Sequence, residues 1–245
     1  MILGIDIGGS AIKAALVDTD TGLLGSDRYL LTTPQGAMPA DILQVFREVL
    51  QHFDWPGPIG CGLPAAVPKG VVQTAANIDK SWLQLHAGKL FSEAAGRPVV
   101  VLNDADAAGI AEMAFGQGKL QTGTVLVVTV GTGLGTALFR NDVLVANTEL
   151  GHVILNGQDA EAYASAALKT RQQLSLAEWT PRLDVYLHRL EELIWPDLFI
   201  IGGGISAQFD QMKPYLTVRT ETRPALFGND AGIVGAAMAA AENRD

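Results

Sequence analysis

Cysteine is almost missing from this 245-residue chain: Cys61 stands alone. One thiol builds no disulfide framework, and no Cys/His set is spaced to ligate zinc. Basic residues are few as well, 17 Lys and Arg against 26 Asp and Glu, for a net charge of −9. A general nucleic-acid binder carries a basic face that this balance denies. Any polyanionic substrate has to be met by a local basic patch, against an unfavourable overall field. No apolar run approaches the roughly 20 residues that cross a bilayer, and no basic-then-apolar leader opens the chain. These absences lead to the expectation of a cytoplasmic protein that takes neither nucleic acid nor membrane as partner. Neither the G-x-x-x-x-G-K-[ST] nor the G-x-G-x-x-G spacing occurs. No Pro-rich or Gly/Ser-rich linker divides the chain.

What the chain does have is apolar mass and glycine. Hydrophobic residues make up 48% and charged residues 18%, enough for a sizeable core, and 27 glycines promise many tight turns. The opening stretch, Leu3 to Lys13, sets the pattern. An apolar run (Ile2, Leu3, Ile5, Ile7) reads as a buried strand, Gly8-Gly9-Ser10 turns the chain, and Ala14 to Val17 returns as a second strand. Glycine turns expose backbone N–H groups to a phosphate because no side chain blocks the approach. Asp6 beside this turn has the chemistry to serve a hydrated Mg²⁺. The same order recurs at Val125 to Phe139, around Gly131-Thr132-Gly133, and Gly202-Gly203-Gly204 ends a third apolar run at Leu198.

Between these turns, helical spacing covers Ile42 to Leu50, Ala107 to Phe115, Ala160 to about Arg171, and Ala177 to Ile194. Extended runs are expected at Leu23 to Thr33, Ile59 to Leu63, Pro98 to Leu102 and Leu216 to Thr220. A small-residue helix from Gly232 to Glu242 is expected to pack closely on the N-terminal lobe. Two α/β lobes with a cleft between them follow, residues 1–103 joined by the C-terminal helix 231–245, and residues 104–230. Asn103-Asp104 falls where a strand ends and a helix begins. A carboxylate there is either a helix cap or a base for a substrate hydroxyl, and the residues alone leave both open. Glu149-Leu150-Gly151-His152 sets an acid and an imidazole beside a glycine. With Asn103 and Glu161, these side chains have the donors and acceptors for vicinal sugar hydroxyls.

Together these pieces resemble the sugar kinases of the ROK family, within the actin-like ATPase superfamily, and among them the polyphosphate glucokinases. The resemblance rests on residues 3–13, Thr-Ala-Ala-Asn-Ile-Asp-Lys-Ser-Trp (74–82), Asn-Asp-Ala-Asp-Ala-Ala-Gly (103–109), residues 130–139, Asn-Thr-Glu-Leu-Gly-His (147–152) and residues 196–206. It implies two ribonuclease-H-like lobes and transfer of a phosphoryl group to the 6-hydroxyl of glucose, with Mg²⁺. The donor would be inorganic polyphosphate, with ATP as a second donor. By the same resemblance Asp104 is the general base, and Asn103, Glu149, His152 and Glu161 hold the sugar. Asp6, Gly8, Gly9, Ser10, Lys13, Gly131, Thr132, Gly133, Gly203 and Gly204 receive the donor. A homodimer is the family expectation. A strictly ATP-dependent hexose kinase and a non-catalytic sugar-binding regulator are the alternatives. Three departures stand out. The Cys-rich zinc motif that many members carry after Glu-x-Gly-His is missing, Pro64-Ala65 replaces the usual Pro-Gly, and the segment after Glu161 is lean in basic residues. Lys13, Lys80, Arg140 and Lys213 are the candidates to grip a polyphosphate chain.

Overall fold

The computed structural model describes residues 1–242. In chain order the elements are β1 (Ile2–Ile7), β2 (Ala11–Asp18), β3 (Leu23–Leu24), β4 (Tyr29–Thr32), α1 (Pro39–Phe53), β5 (Ile59–Leu63), α2 (Ala87–Ala95), β6 (Val99–Asn103) and α3 (Asp104–Ala114). Then come β7 (Thr124–Val130), β8 (Leu134–Arg140), β9 (Val143–Val145), β10 (Ile154–Leu155), β11 (Gln158–Asp159), α4 (Ala160–Ala164), α5 (Ala166–Arg171) and α6 (Leu176–Ile194). β12 (Leu198–Gly202), α7 (Phe209–Met212), β13 (Glu221–Pro224) and α8 (Ala231–Glu242) complete the chain. Two compact units result: Met1–Ala111 with the segment from Asp230, and Glu112–Asn229. The division falls eight residues beyond the boundary expected at 103, because the first turns of α3 pack within the first unit. The expected helix end at 243–245 lies outside the described residues.

The first unit's sheet runs β3-β2-β1-β5-β6, with β4 also paired to β2. β1 pairs antiparallel with β2 and parallel with β5, and β5 parallel with β6. The second unit repeats this order as β9-β8-β7-β12-β13, antiparallel through the β7–β8–β9 meander and parallel from β7 to β13. An antiparallel hairpin continued by parallel strands is the ribonuclease-H-like arrangement that the resemblance implies.

Alternation along β1 and β5 explains the layers of the first unit. Leu3, Ile5, Ile7, Ile59, Cys61 and Leu63 share one face and form a core with Ile42, Phe46 and Val49 of α1 and Phe91 of α2. The other face of the same strands carries Gly4, Asp6, Gly60 and Gly62. There α8 lies so close that no side chain fits at Gly4 or Gly60. A Cβ on Gly4 would overlap the carbonyl oxygen of Ile233, one on Gly60 that of Ala236, and one on Gly235 that of Ala107 in α3. The Ala/Gly composition of α8 is therefore a packing requirement, and Gly232, Val234, Ala236 and Ala240 are buried with it. The second core is built on α6, where Trp179, Leu183, Tyr186, Leu187 and Leu190 pack on Leu126, Val128, Phe199 and Ile201. That helix starts at a capping box of Ser175 and Glu178.

Three local expectations are corrected. The extended run Leu23 to Thr33 breaks into β3 and β4, because Gly25 N–H donates to Leu16 O and Ser26 Oγ accepts from Leu16 N. The helix expected from Ala160 to Arg171 is two, since Ser165 takes an extended conformation (ψ 157°) and caps α5 through Leu168 N. Leu216 to Thr220 is not a strand. Asp184 accepts from the backbone N and the hydroxyl of Thr217, and Glu191 does the same for Thr220, so this segment is tied to α6 by side chains and pairing begins at Glu221.

Gly60→Ala and Gly235→Ala are each expected to lower stability by about 1–3 kcal/mol, since backbone must move to admit the methyl group. Gly88→Ala in α2, where a Cβ would meet only ordinary contacts, is expected to gain up to about 1 kcal/mol. Urea denaturation midpoints check all three.

Candidate active site

The glycine turns and the acidic residues sit at the carboxyl ends of strands, where open α/β sheets take their ligands. In the first unit, Gly8-Gly9-Ser10 follows β1 and Asn103-Asp104 follows β6. β5 lies between these strands, so the two ends are about 10 Å apart at ordinary sheet spacing. Gly8 N–H donates to Ala11 O at 3.0 Å and Thr33 Oγ1 donates to Gly8 O at 2.6 Å. Gly8 is thus committed to shaping the turn, and Gly9 and Ser10 form its exposed tip.

Asp6, on the α8 face of β1, is only 8% exposed. Its Oδ2 meets Lys13 Nζ, the residue across the hairpin, at 2.7 Å. A Cβ on Gly232 would overlap the Asp6 carboxyl, so the carboxylate rests against the first turn of α8, where helix backbone favours negative charge. Asp6 and Lys13 are therefore brought together with the turn they were expected to serve.

Asn103 is the cap of α3. Its Oδ1 accepts from Ala105 N at 2.8 Å and Asp106 N at 3.0 Å, and its Nδ2 donates to Ala65 O at 3.1 Å. This leaves Asp104 at the first helical position, half-buried, with Oδ1 2.8 Å from Ala105 N. The open choice between cap and base is narrowed: the cap is Asn103, and Asp104 is a carboxylate at the helix N-terminus, where the helix dipole favours negative charge. The start of α3 lies close over β5, where a Cβ on Gly62 would stand 3.4 Å from Asp104 Cα.

In the second unit, Gly131-Thr132-Gly133 joins β7 to β8, with Gly131 N–H donating to Gly133 O at 3.0 Å. Gly203, at φ +78°, lies against the end of the adjacent β7, where any Cβ would overlap Val130 O. Two glycine turns thus share one sheet edge. Arg140 does not join them. It is at the far end of the β7–β8 hairpin, where its guanidinium donates to Thr124 Oγ1 at 2.9 Å, roughly 20 Å along the strand from Gly131.

The sugar-side candidates of this unit are assembled by short-range bonds. Thr136 Oγ1 donates to Thr148 O and accepts from Leu150 N, fixing the segment before Gly151 on β8. Gly151 has no alternative, because a Cβ would overlap Leu134 O. His152 Nε2 lies 3.8 Å from Glu149 Oε2, and His152 Nδ1 lies 2.9 Å from Asp159 Oδ2. Asp159 Oδ1 caps α4 through Glu161 N at 2.8 Å, and Glu161 Oε2 accepts from Leu134 N at 3.1 Å, one residue past the glycine turn. Glu149, His152 and Glu161 are therefore one cluster, tied to the phosphate-type turn by Glu161. Asp159 is the member that sequence reasoning missed. Its signal was faint: an acid seven residues after His152, in front of a helical run and reading as an ordinary cap.

Burial pushes the Glu149 carboxyl above the usual carboxylate range. The nearby His152 opposes this and Glu161 adds to it. For His152, burial lowers the pKa, but the hydrogen bond and charge of Asp159, with Glu161 and Glu149, outweigh it and hold the imidazole above its ordinary value. Among the described residues no group of three or more His, Cys, Asp or Glu is arranged to hold a metal ion.

This geometry agrees with what the chain is similar to. Residues 2–166 match the ROK family. The chain belongs to the ROK family. It is 47% identical to a polyphosphate glucokinase of Mycobacterium tuberculosis over 96% of this chain and 89% of that protein. Its fold matches the crystal structure of an inorganic polyphosphate/ATP-glucomannokinase from Arthrobacter sp. strain KM with a TM-score of 0.96, at 44% identity over 99% of both chains. A ROK glucokinase from Streptomyces griseus, solved with glucose and AMPPNP, matches with a TM-score of 0.86 at 25% identity over 99% of both chains. The two ribonuclease-H-like units are thus those of an actin-like ATPase fold.

The raised His152 pKa sets a pH window. Its charged form stabilises the fold fully below the unfolded-state histidine value, and that contribution is lost as pH rises through the folded value. NMR titration is expected to place the His152 midpoint above an ordinary histidine, and Asp159→Asn is expected to lower it. A wild-type midpoint at or below the ordinary value contradicts the assigned contacts.

Proposed function

We propose that this protein is a polyphosphate glucokinase, transferring a phosphoryl group from inorganic polyphosphate to the 6-hydroxyl of glucose to give glucose 6-phosphate. The observation that carries the reading is the near-full-length likeness to a polyphosphate glucokinase. The acid–imidazole cluster of the second unit and the Asp104 carboxylate of the first supply the residues the reaction calls for.

In this reading Glu149, His152 and Glu161 hydrogen-bond the sugar hydroxyls. With Nδ1 engaged by Asp159, His152 presents Nε2 to the sugar in a fixed orientation. Asp104 accepts the proton of the 6-hydroxyl as that oxygen attacks the terminal phosphorus. Asn103 holds the turn that carries Asp104, with its amide bonded to Ala65 O and to the start of α3. The backbone of Gly9, Ser10, Thr132 and Gly133, shaped by Gly8 and Gly131, receives the charge spreading over the transferred phosphoryl group. Asp6 suits a hydrated Mg²⁺ brought in with the phosphates, since that ion is held by one or two carboxylates and substrate oxygens and not by a protein cage, and Lys13 supplies a positive charge for the phosphate oxygens. When bound, Mg²⁺ neutralises phosphate charge. ATP is the second donor. The Gly203-Gly204 turn is the observation that favours it: Gly203 packs on Val130, while a Cβ on Gly204 would meet nothing nearer than Asn229 Oδ1 at 4.0 Å, so the turn is open at Gly204 for a nucleoside to approach. The reading extends to a cytoplasmic homodimer, as expected for the family.

Asp104→Asn is expected to keep glucose binding, measured by calorimetry, while kcat with polyphosphate falls about 10²–10⁴-fold. Near-normal turnover in this variant removes Asp104 as the base.

A further inference from the structure

α6 carries a group that neither the core nor the proposed chemistry accounts for. Tyr186 is fully buried, yet its hydroxyl has no hydrogen-bond partner among the described residues. Buried hydroxyls are nearly always paired, directly or through an enclosed water. Its ring packs in one core with Leu155, Ala160 and Ala164, the residues on either side of Asp159 and along α4. α4 packs directly on α6, and burial raises the Tyr186 hydroxyl pKa, with the Asp159 and Glu161 charges adding to it. Asp159 in turn holds both His152 Nδ1 and the first turn of α4.

We propose that Tyr186 is a positioning residue for the sugar site: its buried hydroxyl donates, through one enclosed water, to the Asp159 carboxylate and so fixes the carboxylate that orients His152. The Asp159 carboxylate stands at a hairpin end, 38% exposed at its side chain, and both of its bonds, to His152 Nδ1 and Glu161 N, are to neighbours in its own segment. A donor from the core side locks it. Tyr186 touches neither sugar nor phosphate and acts only through Asp159. This inference rests on the sugar-binding reading of Glu149, His152 and Glu161.

Tyr186→Phe removes only the hydroxyl. Glucose dissociation constants, measured by calorimetry without a phosphoryl donor, are expected to rise about fivefold to tenfold, the size of one hydrogen bond to a charged group. The melting temperature is expected to fall by no more than a few degrees, because one hydrogen bond is removed while the ring stays packed. In turnover assays the KM for glucose rises with kcat within about twofold. Asp159→Asn is expected to weaken glucose binding at least as much. The double variant is expected to match Asp159→Asn alone, because both changes cut one chain of contacts. Unchanged glucose affinity in Tyr186→Phe, or effects that multiply in the double variant, overturns the proposal. Wild-type protein that binds no glucose instead sinks the sugar-site reading. In that case the His152 NMR midpoint still decides, since positioning through Asp159 requires it to move in Tyr186→Phe, and an unmoved midpoint refutes the role.

Discussion

The close approach of α8 to the sheet of the first unit is the constraint on which that unit depends. β1 and β5 are central strands with both faces buried, but the faces are unlike. One presents Leu, Ile and Cys to α1 and α2, and the other presents Gly4, Gly60 and Gly62. Backbone then meets backbone, which forgoes the hydrophobic gain of large side chains and obtains position in return. What is positioned is chemical. Asp6 leans on Gly232 at the start of α8, and α3, which begins at Asp104, is held against Gly235 and Gly62. Burial also pushes the thiol of Cys61 upward, with the Asp6 charge adding to it, so the lone cysteine is an inert part of the core.

The second unit uses the same topology to a different end. Its glycine turns share the sheet edge between β7 and β12, and its acids reach that edge from the irregular segment 147–161. Two short bonds from Asp159 make that segment a single object, with His152 on one side and Glu161 on the other. The first unit thus supplies a carboxylate at a helix N-terminus, and the second an imidazole whose pKa is raised by carboxylates. These are the complementary characters that hydroxyl activation and sugar recognition require. The chain lacks the cysteine-rich motif found after Glu-x-Gly-His in many relatives, and the orienting contact to His152 comes here from a carboxylate.

Much of this was legible in the sequence because it is written in local terms. The strand–glycine–strand units, the Asn103-Asp104 junction, the small-residue composition of α8 and the Glu-x-Gly-His piece each declare themselves within about ten residues. What was not legible depends on partners far along the chain. Thr217 and Thr220 read as part of a strand until Asp184 and Glu191 claim them across some 30 residues. Ser165 splits one helical pattern into two by a backbone choice that periodicity does not register. Arg140 looked available for phosphate, but strand register places it at the wrong end of its hairpin. Asp159 and Tyr186 carry no motif, and only the fold brings the first against His152 Nδ1 and the second into the core beside α4.

The central claim is that the chain moves a phosphoryl group from inorganic polyphosphate to carbon 6 of glucose. The direct measurement follows the purified protein with glucose, Mg²⁺ and polyphosphate as sole donor by ³¹P NMR, against a parallel reaction with ATP. The account predicts a growing phosphate monoester on the sugar's 6-oxygen in the polyphosphate reaction as terminal phosphate signals change. Ester formed with ATP alone, or with neither donor, contradicts it.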